Sequence, residues 1–134
     1  MESESFDNQD GLIRYDGKMV EWRQANLHVI THALHHDSCV FEGERVYSGV
    51  IFKLRGHTKR LVKSASILGF QIPYSIDEID GACIQACEAN GIIDGCVRPV
   101  AWRGSESMGV SSQNTKIHLA IAVCPWLFYF SPEA

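Results

Sequence analysis

LIRYDGKMVEW, residues 12–22, predicts a β-hairpin. Two apolar-rich runs flank Asp16-Gly17, a favoured two-residue turn because both positions tolerate positive φ. The pattern returns in a second hairpin, with strands at 44–47 and 50–53 and a turn at Ser48-Gly49. Two hairpins near the start of the chain favour a mostly antiparallel sheet.

The two hairpins are followed by a predicted helix over His57–Leu68. Leu61, Ala65 and Leu68 recur at helical spacing and predict a buried stripe. Gly69 stands where a glycine commonly ends a helix.

A second helix is predicted between Ser75 and Gly91. Ser75-x-x-Glu78 is a capping box, and Gly91 is the stop signal. The predicted apolar face consists of Ile76, Ile79, Cys83, Ala86 and Cys87.

Two further strands are predicted, Cys96–Trp102 and Ile117–Cys124. Pro99 indicates an edge or a bulge in the first. The second is apolar on both faces and should be interior. The interval Asn26–Phe41 fits either a short helix or a turn that leads into a strand. The order predicts an α+β domain, a mostly antiparallel sheet with two main helices on one face.

Composition limits the possible classes. Hydrophobic residues make up 46% of the 134, and we expect one domain over 12–134 after a disordered acidic tail at 1–11. A net charge of -4 with scattered basic residues argues against nucleic-acid binding. Apolar runs are too short for a membrane span. The apolar run 126–130, four residues before the end, suggests that more chain or a partner packs there.

Five cysteines, an odd number without a CxxC pair, indicate free thiols in a reducing cytoplasm. His28, His32, His35 and His36 would share one face of a helix, which is one pattern of a metal site. However, no carboxylate stands in HExxH register, so turns and hydrogen bonds are the favoured roles and no metal is expected.

Two arginines each allow a structural and a ligand-binding interpretation. Arg60 belongs either to a solvated basic helix face or to a phosphate site, since guanidinium matches phosphate geometry. Arg98 shares a strand face with Cys96, Val100 and Trp102, so it either forms a structural salt bridge or binds a carboxylate. The glycine turns at 41–43 and 108–110 allow close approach of a ligand, or are ordinary loops.

Several stretches taken together resemble the class IV (fold-type IV) pyridoxal-phosphate aminotransferases, most closely the branched-chain amino-acid aminotransferases. The HALH…VFEGxR stretch is the most specific of them. The stretches, in the family's order and spacing, are YDGKMV at 15–20, THALH at 31–35, VFEGER at 40–45, HTKRL at 57–61, VRP at 97–99 and MGV at 108–110.

The resemblance implies a role for each matching residue. Arg60 matches the arginine that binds the cofactor phosphate, and Arg98 matches the arginine that binds the side-chain carboxylate of glutamate. Phe41, Gly43 and Arg45 match the strand that frames the pocket. Met108, Val110, Trp126 and Tyr129 match its apolar walls, with the 108–110 loop reaching the neighbouring subunit's site.

Two substrate-binding positions depart from the family. His36 and Cys96 each stand where a tyrosine is usual, and both tyrosine hydroxyls help to hold substrate carboxylates. The resemblance also implies a second domain with the Schiff-base lysine, which no lysine of these 134 residues matches. The chain therefore contains no expected catalytic residue, and by itself it is expected to be inactive.

The resemblance implies an enzyme that exchanges an amino group between Leu, Ile or Val and 2-oxoglutarate. Its cofactor would be pyridoxal phosphate, its partners amino and 2-oxo acids, and its assembly a homodimer or higher, without nucleic acid or membrane. Alternatives are a D-amino-acid or R-selective amine transaminase, an aminodeoxychorismate lyase, or a non-catalytic anion-binding or dimerisation domain.

Overall fold

The computed structural model describes residues 5–111 and 113–125, and its centre is a seven-stranded antiparallel sheet. The strands are β1 Leu12–Tyr15, β2 Lys18–Glu21, β3 Cys39–Phe41, β4 Glu44–Tyr47, β5 Val50–Ile51, β6 Gly95–Arg103 and β7 Ile117–Pro125. Their order is β2-β1-β7-β6-β4-β5, and β3 pairs with β6 beside β4. The predicted α+β class is confirmed.

Both predicted hairpins are present. Asp16 and Gly17 have φ of 49° and 84°, and Ser48 and Gly49 have φ of 50° and 81°, the positive values that a two-residue hairpin turn needs. The second hairpin is shorter than predicted, because Lys53 adopts φ 57° and serves as the N-cap of the next helix.

Three α-helices accompany the sheet: α1 His32–His36, α2 Leu54–Ile67 and α3 Ile76–Ala89. A short 3-10 helix, Trp22–Gln24, follows β2. Helix α1 and β3 resolve the ambiguous interval as a short helix followed by a strand. Helix α2 begins three residues before the predicted His57 and ends at Ile67.

The predicted buried stripe of α2 is partly wrong. Leu61 and Ala65 are fully buried, but Leu68 lies beyond the helix and is 46% exposed. Thr58 takes the third buried position, with its hydroxyl donating to Asp80 at 2.5 Å. A polar side chain was not expected there because its acceptor lies on another helix.

Helix α3 follows the prediction closely. The Ser75 Oγ accepts from the backbone N–H of Glu78, whose carboxylate accepts from the backbone N–H of Ser75. Gly91 has φ 62° after the helix end. Of the predicted apolar face, Ile76 is half-buried and the others are buried, namely Ile79, Cys83, Ala86 and Cys87.

The main core lies between the sheet and helices α2 and α3, which cover one face. Val97 and Ala101 of β6 and Leu119, Ile121 and Val123 of β7 point into it. A smaller cluster around Trp102 occupies the opposite face. Alternate residues of β6 and β7 therefore face the helices or the open side of the sheet.

The edge predicted from Pro99 is corrected: β6 is interior, paired with β7 on one side and with β3 and β4 on the other. The Pro99 carbonyl accepts from the N–H of Glu42, between β3 and β4. Because the N and C=O of a strand residue point to the same side, the missing N–H faces that gap. The prediction that β7 is interior is confirmed.

The first described residues pack against the 3-10 helix. The Trp22 indole donates to the Phe6 carbonyl at 2.5 Å, and Arg23 pairs with Asp10 at 2.8 Å. No described helix is both long and apolar enough to cross a membrane.

Candidate functional site

A cleft of about 470 Å³ opens on the face of the sheet opposite α2 and α3. Strand alternation places every second residue of β4, β6 and β7 on this face. The cleft is lined by Phe6, Trp22, Gly43, Arg45, Cys96, Arg98, Ala122 and Cys124, and it is bordered by Glu44 and Val97, whose side chains lie on the helix side of the sheet. Four predicted site residues, Gly43, Arg45, Cys96 and Arg98, thus meet in one place.

Arg45 is fixed by the strand next to its own. Arg45 of β4 lies directly opposite Cys96 of β6, and its Nη1 donates to the Cys96 Sγ at 3.1 Å. The sulfur therefore helps to hold the guanidinium in the cleft.

Arg98 lies two residues further along β6 and on the same face. Its guanidinium stands 5.1 Å from the centre of the Phe41 ring, a cation–π contact. Ala122 lies opposite it on β7, so small and aromatic groups surround the charge. The Arg98 side chain is exposed, so an anionic ligand in the cleft can reach its guanidinium.

Gly43 lies in the short segment between β3 and β4 and lines the same cleft as Arg45 and Arg98. A Cβ built on Gly43 has no atom within 4 Å, so the space above this residue belongs to the cleft. The absence of a side chain there allows a ligand to approach the backbone closely.

Glu42 and Glu44 alternate along the chain with Gly43 and Arg45, and their side chains point toward helices α2 and α3. Arg60 of α2 donates twice to the Glu42 carboxylate, from Nε at 2.8 Å and from Nη2 at 2.7 Å. His57, one turn earlier, is 2.7 Å from the same carboxylate through Nδ1. The segment that frames the cleft is therefore joined to the predicted phosphate-binding arginine.

The charge balance of this group follows from its contacts. Burial opposes ionisation of Glu42, which is 5% exposed, but hydrogen bonds from Arg60 and His57 outweigh it and lower the pKa of Glu42. The hydrogen bonds that Arg60 donates to Glu42 raise the pKa of Arg60 above its ordinary value. Arg60 remains 66% exposed in its side chain, so a ligand can reach it.

Glu44 is the opposite case, a buried carboxyl without a partner. It is 1% exposed, and neither oxygen has a hydrogen-bond partner among the described residues. Burial, together with the nearby carboxylates of Glu42 and Asp80, raises the pKa of Glu44 to about 8. The side chain is therefore mostly the neutral acid near pH 7, the form that burial tolerates.

The other predicted site residues lie elsewhere. His36 is exposed at the end of α1, with its ring centre 4.4 Å from that of His32. Met108 and Val110 are 75% and 81% exposed on the loop between β6 and β7, outside the lining of the cleft. Trp126 and Tyr129 lie outside the described residues.

Of the histidines predicted to share a face, His32, His35 and His36 have neighbouring rings on α1, and His28 lies apart from them. His28 precedes α1 and accepts at Nδ1 from its own neighbour Ile30, whereas His35 contacts the Val29 carbonyl at 2.9 Å. His32 is buried and lies 2.7 Å from the Ser38 hydroxyl. Among residues 5–111 and 113–125, no group of three possible metal ligands comes together.

Sequence reasoning missed Glu42 and His57 as members of the site. The available signals were the acid between Phe41 and Gly43 and the i, i+3 spacing of His57 and Arg60, which places both on one side of α2. Neither signal names its partner, because the two segments are joined only by the fold.

Comparison with known proteins gives a consistent result. A family model described as Amino-transferase class IV matches residues 39–132. The branched-chain-amino-acid aminotransferase of Pseudomonas aeruginosa is 44% identical over 134 residues, covering 97% of this chain and 44% of that protein. The Escherichia coli protein of the same description is 38% identical over 127 residues, covering 91% and 41%.

Solved structures agree with the sequence relatives. The crystal structure of the Escherichia coli branched-chain amino acid aminotransferase has a TM-score of 0.88 at 37% identity and covers 94% of this chain and 43% of that one. The branched-chain aminotransferase of the archaeon Thermoproteus uzoniensis, solved with norvaline, has a TM-score of 0.82 at 31% identity and covers 87% and 41%. The chain thus spans less than half the length of these relatives.

Proposed function

Since the chain belongs to the class IV aminotransferases, we propose that its protein is a branched-chain amino-acid aminotransferase. It would move an amino group between Leu, Ile or Val and 2-oxoglutarate. We further propose that residues 12–134 are the small N-terminal domain of that enzyme and that residues 1–11 are its acidic tail.

The observation that carries this proposal is the pair of arginines in a cleft with apolar walls. Arg45 and Arg98 supply positive charge, while Phe6, Trp22 and Ala122 supply apolar surface. An enzyme of this specificity must accept an aliphatic side chain in one half of its cycle and a carboxylate in the other. A single arginine at the edge of an apolar pocket satisfies both requirements.

Arg60 fits the phosphate of pyridoxal phosphate. Glu42 takes two of the five guanidinium N–H groups, and among the described residues Nη1 has no hydrogen-bond partner. The remaining exposed N–H groups of the guanidinium can bind a phosphate oxygen while Glu42 fixes the orientation of the guanidinium. When bound, pyridoxal phosphate supplies the electron-withdrawing ring that acidifies the Cα–H of an amino acid.

The roles of the remaining substrate-binding residues follow from their positions. Arg98 binds the side-chain carboxylate of glutamate or 2-oxoglutarate, and the Phe41 ring limits the directions in which its guanidinium can turn. Gly43 lets the substrate approach the backbone. Met108 and Val110, exposed here, together with Trp126 and Tyr129, would add apolar walls, the 108–110 loop in the neighbouring subunit's site.

Steady-state kinetics of the full natural polypeptide test the proposal with Arg98→Met. We expect the KM for 2-oxoglutarate to rise at least about tenfold, since a charge-assisted hydrogen bond contributes about 1.5–3 kcal/mol. The KM for leucine should change by less than about twofold, because its side chain needs no cation. Arg14→Met, on the helix side of the sheet, is the control. A wild-type protein that does not transaminate leucine overturns the proposal.

A second candidate is favoured by the two departures from the family. Cys96 and His36 replace tyrosines at carboxylate-binding positions, and Cys96 accepts a hydrogen bond from Arg45 instead of offering a hydroxyl. A D-amino-acid or R-selective amine transaminase, or an aminodeoxychorismate lyase, would need a different pattern of donors here. A panel of L-amino acids, D-amino acids and amines with one acceptor separates these activities by their kcat/KM.

We also propose a homodimer or higher assembly in the cytoplasm. Support for assembly comes from a second groove of about 300 Å³ on the open face of the sheet, where Leu27 and Leu34 are exposed beside Tyr15 and Trp102. Support for a reducing compartment comes from the five free thiols. Analytical ultracentrifugation of the full polypeptide checks the first, and microscopy of a tagged protein the second.

The 134-residue chain alone is proposed to be inactive, because none of its lysines matches the cofactor lysine of the family. Purified chain with pyridoxal phosphate, leucine and 2-oxoglutarate should form no glutamate. Turnover by this chain would contradict the proposal. Retained binding of inorganic phosphate through Arg60 fits both this proposal and the non-catalytic, anion-binding alternative, and transamination by the full natural polypeptide separates the two.

A further inference from the structure

Cys96 and Cys124 lie directly opposite each other on β6 and β7. Directly paired residues have their side chains on the same face of a sheet, and both cysteines line the cleft. Both are half-buried, so a small reagent in the cleft can reach either sulfur.

The backbone separation suits a disulfide. Gly104, directly after β6, donates to Lys116, directly before β7, whereas Arg103 donates to Ser38 on the β3 side. Even-numbered residues along β6 therefore bond toward β7, which makes Cys96 and Cys124 a hydrogen-bonded pair. Such pairs have Cα atoms about 5.5 Å apart, inside the range of about 4.4–6.8 Å in known disulfides.

We propose that Cys96 and Cys124 form a reversible redox site, oxidised to an intramolecular disulfide by a low-molecular-weight disulfide such as oxidised glutathione. The Cys96 thiolate attacks one sulfur of the reagent and expels the first small thiol. The Cys124 thiolate then attacks the Cys96 sulfur of this mixed disulfide and expels the second. The sum is two protein thiols and one small disulfide giving one protein disulfide and two small thiols.

The groups next to the two sulfurs decide which cysteine attacks the small disulfide first. Arg45 donates from Nη1 to the Cys96 sulfur at 3.1 Å, so a cation lies directly beside the sulfur that attacks first. Burial, followed by the charge of Cys96 and a hydrogen bond with it, raises the pKa of the Cys124 thiol. Cys96 is therefore the first nucleophile, and Cys124 the resolving thiol.

The geometry also makes the bond reversible. Cβ atoms of paired residues lie about 4.5–5.5 Å apart, whereas a disulfide needs about 3.5–4.5 Å. The strands must approach or twist locally, and strained disulfides are more easily reduced. Oxidation also ties the Cys96 sulfur to β7 and weakens the contact that holds Arg45 in the cleft.

Peptide mapping by mass spectrometry tests the site on the full natural polypeptide. After incubation with oxidised glutathione and alkylation of remaining thiols, two of the five thiols in residues 1–134 should be lost and one peptide pair should link Cys96 to Cys124. Reduced glutathione should restore both thiols. Cys124→Ser should instead accumulate a glutathione adduct on Cys96. Cys39→Ser, which removes an exposed thiol, should leave the link intact.

Glutathione adducts without the Cys96–Cys124 link, or a link between other cysteines, overturn the proposal whether or not the protein is a transaminase. The effect on Arg45 rests on the proposed function and has its own measurement. The oxidised protein should show a KM for 2-oxoglutarate at least about fivefold above that of the reduced protein. An unchanged KM despite complete linkage refutes that effect alone.

Discussion

The carboxylate of Glu42 accepts two parallel hydrogen bonds, of 2.8 and 2.7 Å, from the guanidinium of Arg60. This contact joins the short segment between β3 and β4 to helix α2. The cleft-facing neighbours of Glu42 are Phe41 and Gly43. A change at this carboxylate therefore reaches both the proposed phosphate site and the proposed substrate site.

Glu42→Gln should destabilise the protein by about 1–2 kcal/mol at pH 7. Charge-assisted hydrogen bonds contribute about 1.5–3 kcal/mol, and the exposure of Arg60 reduces that value. Because the folded pKa of Glu42 lies below its unfolded value, the contribution is present above the unfolded pKa and is lost as pH falls through the folded pKa. Urea unfolding at pH 7 and pH 4 should show the difference from wild type shrinking in acid. Glu21→Gln, an exposed acid, should show no difference at either pH.

Glu44→Met should stabilise the protein at alkaline pH. The pKa of Glu44 is about 8 in the folded state and near 4.5 when unfolded, so its contribution is greatest below the unfolded pKa. Between these values wild type should lose up to about 1.4 kcal/mol per pH unit from this group. Unfolding midpoints from pH 5 to pH 9 should fall for wild type and fall less for the variant. An equal pH dependence of the midpoint in wild type and variant would show that the Glu44 carboxylate is hydrogen-bonded to a partner or to water. Glu21→Met is the matched control.

Gly43→Val should block the cleft without unfolding the domain. A Cβ at this position meets no atom within 4 Å, so the side chain would enter the space proposed for substrate. The KM for leucine in the full polypeptide should rise at least about tenfold, the scale at which pockets reject an extra methylene or two. Gly56→Ala, also with open space and in helix α2, should leave KM unchanged and stabilise slightly. An unchanged KM for the valine variant would place the substrate elsewhere.

Ser75→Ala should cost about 1 kcal/mol through loss of the capping box of α3. The helix carries much of the core face, so the loss should appear as a lower urea midpoint with an unchanged slope. Ser66→Ala, an exposed serine within α2, should shift the midpoint by less than about 0.5 kcal/mol.

Local signals in the sequence were sufficient for the turns and for α3. Gly17 and Gly49 reach positive φ because glycine has no Cβ, and Ser75 and Glu78 cap a helix three residues apart. The start of α2 was missed because Lys53 adopts positive φ without being a glycine, which no local pattern predicts.

In the site, too, some features were predictable from the sequence and others were not. Strand alternation predicted that Arg98 and Cys96 share a face, and family resemblance selected Gly43 and Arg45. Neither could pair Glu42 with Arg60, because the two are 18 positions apart and meet only where β3 packs on α2. Nor could they pair Cys96 with Cys124, since that contact depends on the register of β6 and β7.

From the sequence alone follow the two hairpin turns, the capped helix, the α+β class and the family, because each depends on residues close together in the chain or on a recognisable order of motifs. The tertiary structure alone supplied the interior position of β6, the buried Glu44 without a partner among the described residues, the Glu42–Arg60 pair and the cysteine pair in the cleft. Those features depend on strand order and register, and strand register is a property of the whole sheet, since a shift of one residue would turn every side chain to the other face.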